Sequence, residues 1–284
     1  MNLASLNEQQ VRKIAYDLGI PDEVQFNVFH QYYKFIKIVS ERRKSEKLNI
    51  LEIGSGYSTV LWGMLAEEMD IKVNTIDLSF ETVTKATNST DYTKYLKNIN
   101  FLEGLSVSAA ETENFYSDFF QTNFLNTNWN EVVKSSPYIT ELIDLRRSNH
   151  LKDKYNVKTL EDLREFMAED PGMFNYLLDY YSNFGSLDKE LEVLSKYKVI
   201  LSPKLIESKF DVIFFDSGEL SSNIEFFKLF NSLNENAIVG LHDIYFPKSF
   251  KSFIPCTILD NAKNFQRVFL DDITSQGMYV TQKL

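Results

Sequence analysis

The residues with chemistry to offer fall in a few short segments. The first is Glu52-x-Gly54-x-Gly56, with Ser55 between the glycines and Tyr57 after them. Glycines at that spacing permit a tight turn and let a ligand approach the backbone closely. A dinucleotide-binding turn carries a third small residue three positions beyond its second glycine, and Thr59 stands there instead. Asp77 lies 21 residues past Gly56. An acid at that distance, ending the next apolar stretch, suits the hydroxyls of a ribose. Taken singly, an ordinary tight turn would account for the glycines, and a turn residue or helix N-cap for Asp77.

The second group is Asp216 with His242-Asp243. Two carboxylates and an imidazole can hold a hard divalent cation, with water completing its shell. Alternatively, His242 is a general base working near neutral pH, oriented by an acid. The plainer alternative has Asp216 capping a turn before Ser217-Gly218 and His242 packing beside a sheet. Polar groups that end very apolar stretches are costly to keep without a use. His30 and His150 read as packing or surface residues, and Cys256 has no neighbouring His or basic cluster to activate a thiolate. There is no Gly-x-Ser-x-Gly elbow and no phosphate-binding Gly-x4-Gly-Lys-Ser/Thr loop, which argues against an α/β hydrolase and a P-loop NTPase.

These residues need a frame, and the hydrophobic pattern describes one. Val11, Ile14, Ala15 and Leu18 keep helical spacing, as do the apolar residues from Val24 to Val39. The charge run Glu41-Arg42-Arg43-Lys44 reads as a solvated helix end. Then the texture changes. Residues 48–53, 72–77 and 99–104 are short apolar strands separated by a helix from Val60 and another over 80–97. Strands 210–216 and 237–243 flank a helix over 222–233, and two last strands near 265–270 and 278–283 bracket Ser275-Gln276-Gly277. Alternating strands and helices imply a parallel sheet with crossovers, whose ligands bind outside the carboxyl ends of the strands. Tyr197–Leu201 is an alternative third strand. Residues 107–196 break the rhythm and read as a helical insertion, with helix starts at Thr159–Asp162 and Asp170-Pro171. The expected organisation is N-terminal helices over 1–47, an α/β core over 48–106 and 197–284, and the insertion between.

Composition narrows the class. The 284 residues are 44% hydrophobic and 25% charged, enough for a globular core. The formal charge of −10 argues against nucleic acid as a partner. A single cysteine, the absence of a secretory pattern at the N-terminus and the lack of a long apolar run predict a cytoplasmic protein without a membrane partner.

With Leu51–Gly56, Thr75–Asp77, Phe210–Asp216 and the terminal hairpin in view, the sequence resembles the class I S-adenosylmethionine-dependent methyltransferases over 48–104 and 197–284. The 210–246 stretch is similar to the small-molecule group that includes the macrocin-type O-methyltransferases. The resemblance implies a Rossmann-like, seven-stranded, mostly parallel sheet with a C-terminal antiparallel hairpin. It implies S-adenosylmethionine as cofactor and the hydroxyl of a small molecule as methyl acceptor. Glu52, Gly54, Ser55, Gly56 and Tyr57 would then flank the methionine part of the cofactor. Asp77 and Leu78 would meet its ribose, and Glu103-Gly104 would lie near adenine. Asp216 and Asp243 would bind magnesium or sit beside the transferred methyl, with His242 as base. One departure is visible. The group often follows the strand-ending Asp with Gly-x-His-x-Tyr, where this chain has Ser217-Gly218-Glu219-Leu220-Ser221, leaving Glu219 to replace the histidine. The insertion's aromatic residues, Phe115 to Tyr138, could cover an acceptor pocket or simply pack. The alternatives are a non-catalytic cofactor-binding protein or another transferase on the same fold, with a homo-oligomer left open; Thr59 disfavours a nicotinamide dehydrogenase.

Overall fold

Short apolar runs bounded by glycine and acids form the central sheet. In a computed structural model, residues 3–118 and 196–284 are described, apart from 45, 89, 202, 219–220, 245–249 and 272–276. The strands are β1 (Leu48–Ile53), β2 (Ile71–Asp77), β3 (Ile99–Glu103), β4 (Phe210–Phe215), β5 (Leu233–His242), β6 (Phe265–Asp271) and β7 (Met278–Lys283). Their order is β3-β2-β1-β4-β5-β7-β6, with β7 antiparallel to both neighbours and every other pairing parallel. This is the parallel sheet with crossovers that the alternation predicts, in the Rossmann-like, seven-stranded form that the resemblance implies. The chain leaves β1 toward one edge and returns at β4 to build the other half, so the crevice between β1 and β4 is the topological switch point.

The helices are α1 (Glu8–Asp17), α2 (Glu23–Arg42), α3 (Tyr57–Leu65), α4 (Glu81–Thr87), α5 (Ala109–Asp118), α6 (Pro203–Glu207), α7 (Ser221–Leu229) and α8 (Phe250–Asn261). α2 starts where the Asp22 carboxylate accepts from the Gln25 amide at 2.8 Å, a cap worth about 1 kcal/mol. Its buried face carries Phe29, Tyr32, Phe35, Ile36 and Val39. Phe35 packs at 5.0 Å, tilted by 34°, on Phe214 of β4 and meets Trp62 of α3 edge-on at 5.6 Å. Full burial of each such side chain contributes roughly 1.5–3 kcal/mol. Gly240 of β5 makes room for the same ring, since a Cβ there would lie 2.7 Å from Phe35 Cζ.

Several local expectations differ from what forms. The helix expected over 80–97 is broken into α4 and a 3₁₀ segment, Asp91–Asn98. Thr90 caps the second piece by accepting from the Tyr92 amide, and the Thr87 and Thr93 hydroxyls bond backbone carbonyls instead of leaving them to the helix. The alternative third strand is a single parallel bridge, Val199 to Leu105. β5 starts earlier than expected, at Leu233, and its pairing with β4 is irregular between Leu233 and Ile238, where Asn236 has a positive φ of 61°. Arg43 is not solvated. It is 6% exposed and bonds Glu46, Asp211 and the Asn236 carbonyl, tying the end of α2 to the sheet. The helix starts at Thr159–Asp162 and Asp170-Pro171, His150 and most of the aromatic insertion lie outside the described residues. Among the described residues, no helix is long and apolar enough to cross a membrane.

Candidate functional site

Three backbone hydrogen bonds extend the parallel ladder one residue past its strand ends. Gly54 N–H donates to Ile76, Asp216 N–H to Ile53 and Gly104 N–H to Asp77, at 2.8–2.9 Å. Gly104, Asp77, Gly54 and Asp216 therefore stand in a row on the carboxyl rim, drawn from four strand ends. They border a cavity of about 260 Å³ whose wall also includes Ser55 and Leu78. Six of the expected ligand contacts thus meet at one place.

The glycine turn is fixed from beneath. Glu52 is fully buried, and its Oε2 accepts from the Thr59 hydroxyl at 2.7 Å and the Thr75 hydroxyl at 2.9 Å. Thr59 in turn accepts from the Gly56 amide at 3.1 Å, closing the start of α3. The residue that breaks the dinucleotide pattern is thus the link between Glu52 and the glycine turn. Burial pushes the Glu52 carboxyl up to about 7, against the hydroxyls of Ser58, Thr59 and Thr75 that pull it down. Asp77 Oδ2 accepts from the Ser55 amide at 2.5 Å and Oδ1 from Ser79 at 3.1 Å, so the acid ending β2 also shapes the turn after β1. Gly54 has φ 91°, a conformation that disfavours side chains, and packs directly on the Asp216 carbonyl.

Glu52, Gly56, Tyr57 and Glu103 are not in the cavity wall. Glu52 and Gly56 support it from below, Tyr57 packs edge-on against Phe29 at 6.3 Å, and Glu103 is exposed.

Asp216 is the hinge between the cavity and a buried polar network. Its Oδ2 accepts from the Tyr32 hydroxyl at 2.9 Å. Its Oδ1 lies 3.0 Å from His242 Nδ1 and accepts from Lys251 Nζ at 3.2 Å. Burial pushes the Asp216 carboxyl up, but the charges of His242 and Lys251 outweigh this and hold it below its ordinary value. Burial, and then the Asp216 and Asp243 charges, push the Tyr32 phenol well above its usual range, which keeps it a donor.

His242 does not open onto the cavity, contrary to the expectation of a general base. It is 2% exposed, and both ring nitrogens face acceptors. Nδ1 faces the Asp216 carboxylate, and Nε2 lies 3.1 Å from Gln31 Oε1. The Gln31 amide is oriented by donating its nitrogen to Asp271 at 2.6 Å, which leaves its oxygen for His242. With both nitrogens taken by partners inside the network, the buried ring presents neither of them to the cavity. Asp243, also buried, has φ 56° and turns its carboxylate onto Lys251 Nζ at 2.9 Å. Asp216, His242 and Asp243 present ligand atoms within 4.8 Å of one another. Their seat, however, already takes the Lys251 ammonium.

Sequence reasoning missed Gln31, Tyr32, Lys251 and Glu225. Glu225 lies in α7 and lines the cavity, with the Ser106 and Ser217 hydroxyls donating to its two oxygens. A buried acid between Ile224 and Phe226 was the one visible signal. His30 stacks between Phe26 and Tyr33, as expected of a packing residue, and Cys256 is buried.

No protein-family model matches the chain, and no curated protein matches it. Among solved structures it is similar to an O-methyltransferase from Bacillus cereus in complex with SAH, at 10% identity, covering 99% of this chain and 93% of that one, with a TM-score of 0.46. It is also similar to the O-methyltransferase TomG from Streptomyces achromogenes in complex with SAM, at 12% identity, 98% and 91% coverage and a TM-score of 0.45. Cofactor-bound Rv0187 from MTB shares 8% identity, with 99% and 93% coverage and a TM-score of 0.47. Likeness at this level assigns no residue a role.

Proposed function

We propose that the chain is an S-adenosylmethionine-dependent methyltransferase acting on a hydroxyl of a small molecule. The observation that carries this reading is the row of Gly104, Asp77, Gly54 and Asp216 around one cavity at the switch point. The residues fit such a cofactor. Gly54 keeps the turn flush with the Asp216 carbonyl, and the Ser55 hydroxyl is buried with no hydrogen-bond partner among the described residues. Asp77 brings a carboxylate to the same wall.

When bound, the cofactor supplies an electrophilic methyl on a sulfonium. The chain's own part is binding, orientation and exclusion of water. Asp77 accepts from ribose hydroxyls, and Ser55 meets the polar amino-acid end. The Asp216 carboxylate, ionised at neutral pH, stands at the wall as hydrogen-bond acceptor for the acceptor's hydroxyl. Holding the nucleophile in line supplies much of the acceleration in such a transfer. His242 acts through Asp216, by holding its orientation. Magnesium, implied by the resemblance, would have Asp216, Asp243 and His242 as donors. The ammonium of Lys251 lies among them, so these residues do not fit a metal and no step is assigned to one.

The test is isothermal titration with S-adenosylhomocysteine and, separately, NAD, followed by transfer of labelled methyl to a panel of hydroxylated small molecules. Binding of S-adenosylhomocysteine but not NAD, with label in a hydroxyl-bearing product, supports the reading. Binding of NAD alone overturns it, and cofactor binding without turnover on any acceptor favours the non-catalytic alternative.

A further inference from the structure

We infer that Lys251 is a tethered cation occupying the seat where a divalent metal would sit, so that the chain works its strand-end acids without a metal ion. The inference concerns the seat alone and stands whichever ligand fills the cavity.

The geometry is that of a coordinated ion. Lys251 Nζ lies 2.9 Å from Asp243 Oδ2, 3.2 Å from Asp216 Oδ1 and 3.2 Å from the Ser217 carbonyl oxygen. Those oxygens come from the ends of β4 and β5 and from the loop after β4. Lys251 is 4% exposed, although it sits in the first turn of α8. A buried ammonium is retained only when paired and hydrogen-bonded. Here it meets two carboxylates and a carbonyl, the donor types a hard cation takes. Asp243 adopts φ 56°, a left-handed conformation uncommon outside glycine, and this backbone turn accompanies its contact with Lys251.

A divalent ion added beside this ammonium would meet a like charge at hydrogen-bond distance from its own ligands. It would also have to displace the hydrogen bond that holds the Ser217 carbonyl, in the loop lining the cavity. Unlike a soluble ion, the lysine cannot dissociate, so Asp216 keeps its charge partner through every ligand state. Lys251 is therefore a positioning residue. It offsets one of the two negative charges of the Asp216–Asp243 pair and pins the loop at 216–217, and it contributes no reacting atom.

Mn2+ titration of the full chain near neutral pH, read by the electron paramagnetic resonance of unbound Mn2+, tests this. Wild type is expected to bind no ion at this seat. Lys251→Met keeps an unbranched side chain, one atom shorter, and removes the charge. It is expected to gain Mn2+ binding by about tenfold or more, since the two carboxylates and the Ser217 carbonyl that the ammonium held are then left to the ion. Adding Asp243→Asn to that variant should remove the gain. Wild-type binding of Mn2+ that Asp243→Asn abolishes would overturn the inference. So would a Lys251→Met chain with native circular dichroism and no more affinity for Mn2+ than wild type. If Lys251→Met does not fold, comparison of wild type with Asp243→Asn decides the matter alone. Neither arm uses S-adenosylmethionine, so failure here is separable from failure of the methyltransferase reading.

Discussion

Gly54 and Asp216 touch backbone to backbone: a Cβ at position 54 would lie 2.1 Å from the Asp216 carbonyl oxygen. The turn after β1 and the end of β4 are thereby locked in one thin layer, and the cavity lies against it. That contact fixes the backbone of Asp216 against the glycine turn.

Gly54→Ala adds both a clash and a strained φ of 91°. It is expected to cost more than about 2 kcal/mol of stability and to weaken S-adenosylhomocysteine binding beyond detection. Urea denaturation and calorimetric titration check the two effects.

Asp77→Ala removes the acceptor of the Ser55 amide as well as the proposed ribose contact. Cofactor affinity should fall by about 1–3 kcal/mol. An unchanged affinity in a calorimetric titration would take Asp77 out of the site.

Glu52 carries a pH signature. Its folded-state carboxyl is raised from 4.5 to about 7 by burial. The native state therefore holds a proton that the unfolded chain has lost between those values. Stability falls as pH rises through this window, by on the order of 3 kcal/mol for a fully buried group, and levels off above it. Glu52→Gln keeps an oxygen to accept from Thr59 and Thr75 and cannot ionise. Its urea midpoint should lack that slope, while the wild type should show it.

Tyr32→Phe deletes the 2.9 Å hydrogen bond to Asp216 Oδ2 and leaves the ring packed beside Phe214 and His242. A loss of about 1–3 kcal/mol is expected, since a buried charged acceptor loses one donor. Equal urea midpoints for the two proteins would show that this bond contributes nothing net.

Much of the frame was legible because its signals are local. Ile50–Ile53, Val212–Phe215 and Ile238–Leu241 are apolar runs too short for helices, ending at Gly54, at Asp216 and at His242-Asp243. Local patterning also located Asp77 and Asp216, since strand ends on one rim converge. The network behind Asp216 was not legible, because its members are individually ordinary. Lys251 follows Ser249-Phe250 and reads as a surface lysine; acids at the ends of two strands and the Ser217 carbonyl make its burial tolerable. Pro255 hid the helix that carries it. Gln31 and Tyr32 fall on a helical face that packing alone explains. His242 misled for a related reason: residue type suggests a base, while its nitrogens are taken by Asp216 at the end of β4 and by Gln31 of α2, the latter 211 positions earlier in the chain.

The placement of β7 between β5 and β6 bears on how the molecule is made. A ribosome delivers β6 before β7, yet β6 pairs only with β7 in the finished sheet. Residues 265–271 must therefore wait, unzipped, until 278–283 emerge and slot in beside β5. Nascent chains stalled within that interval should display a bare strand edge, the kind of surface that chaperones bind and that invites aggregation.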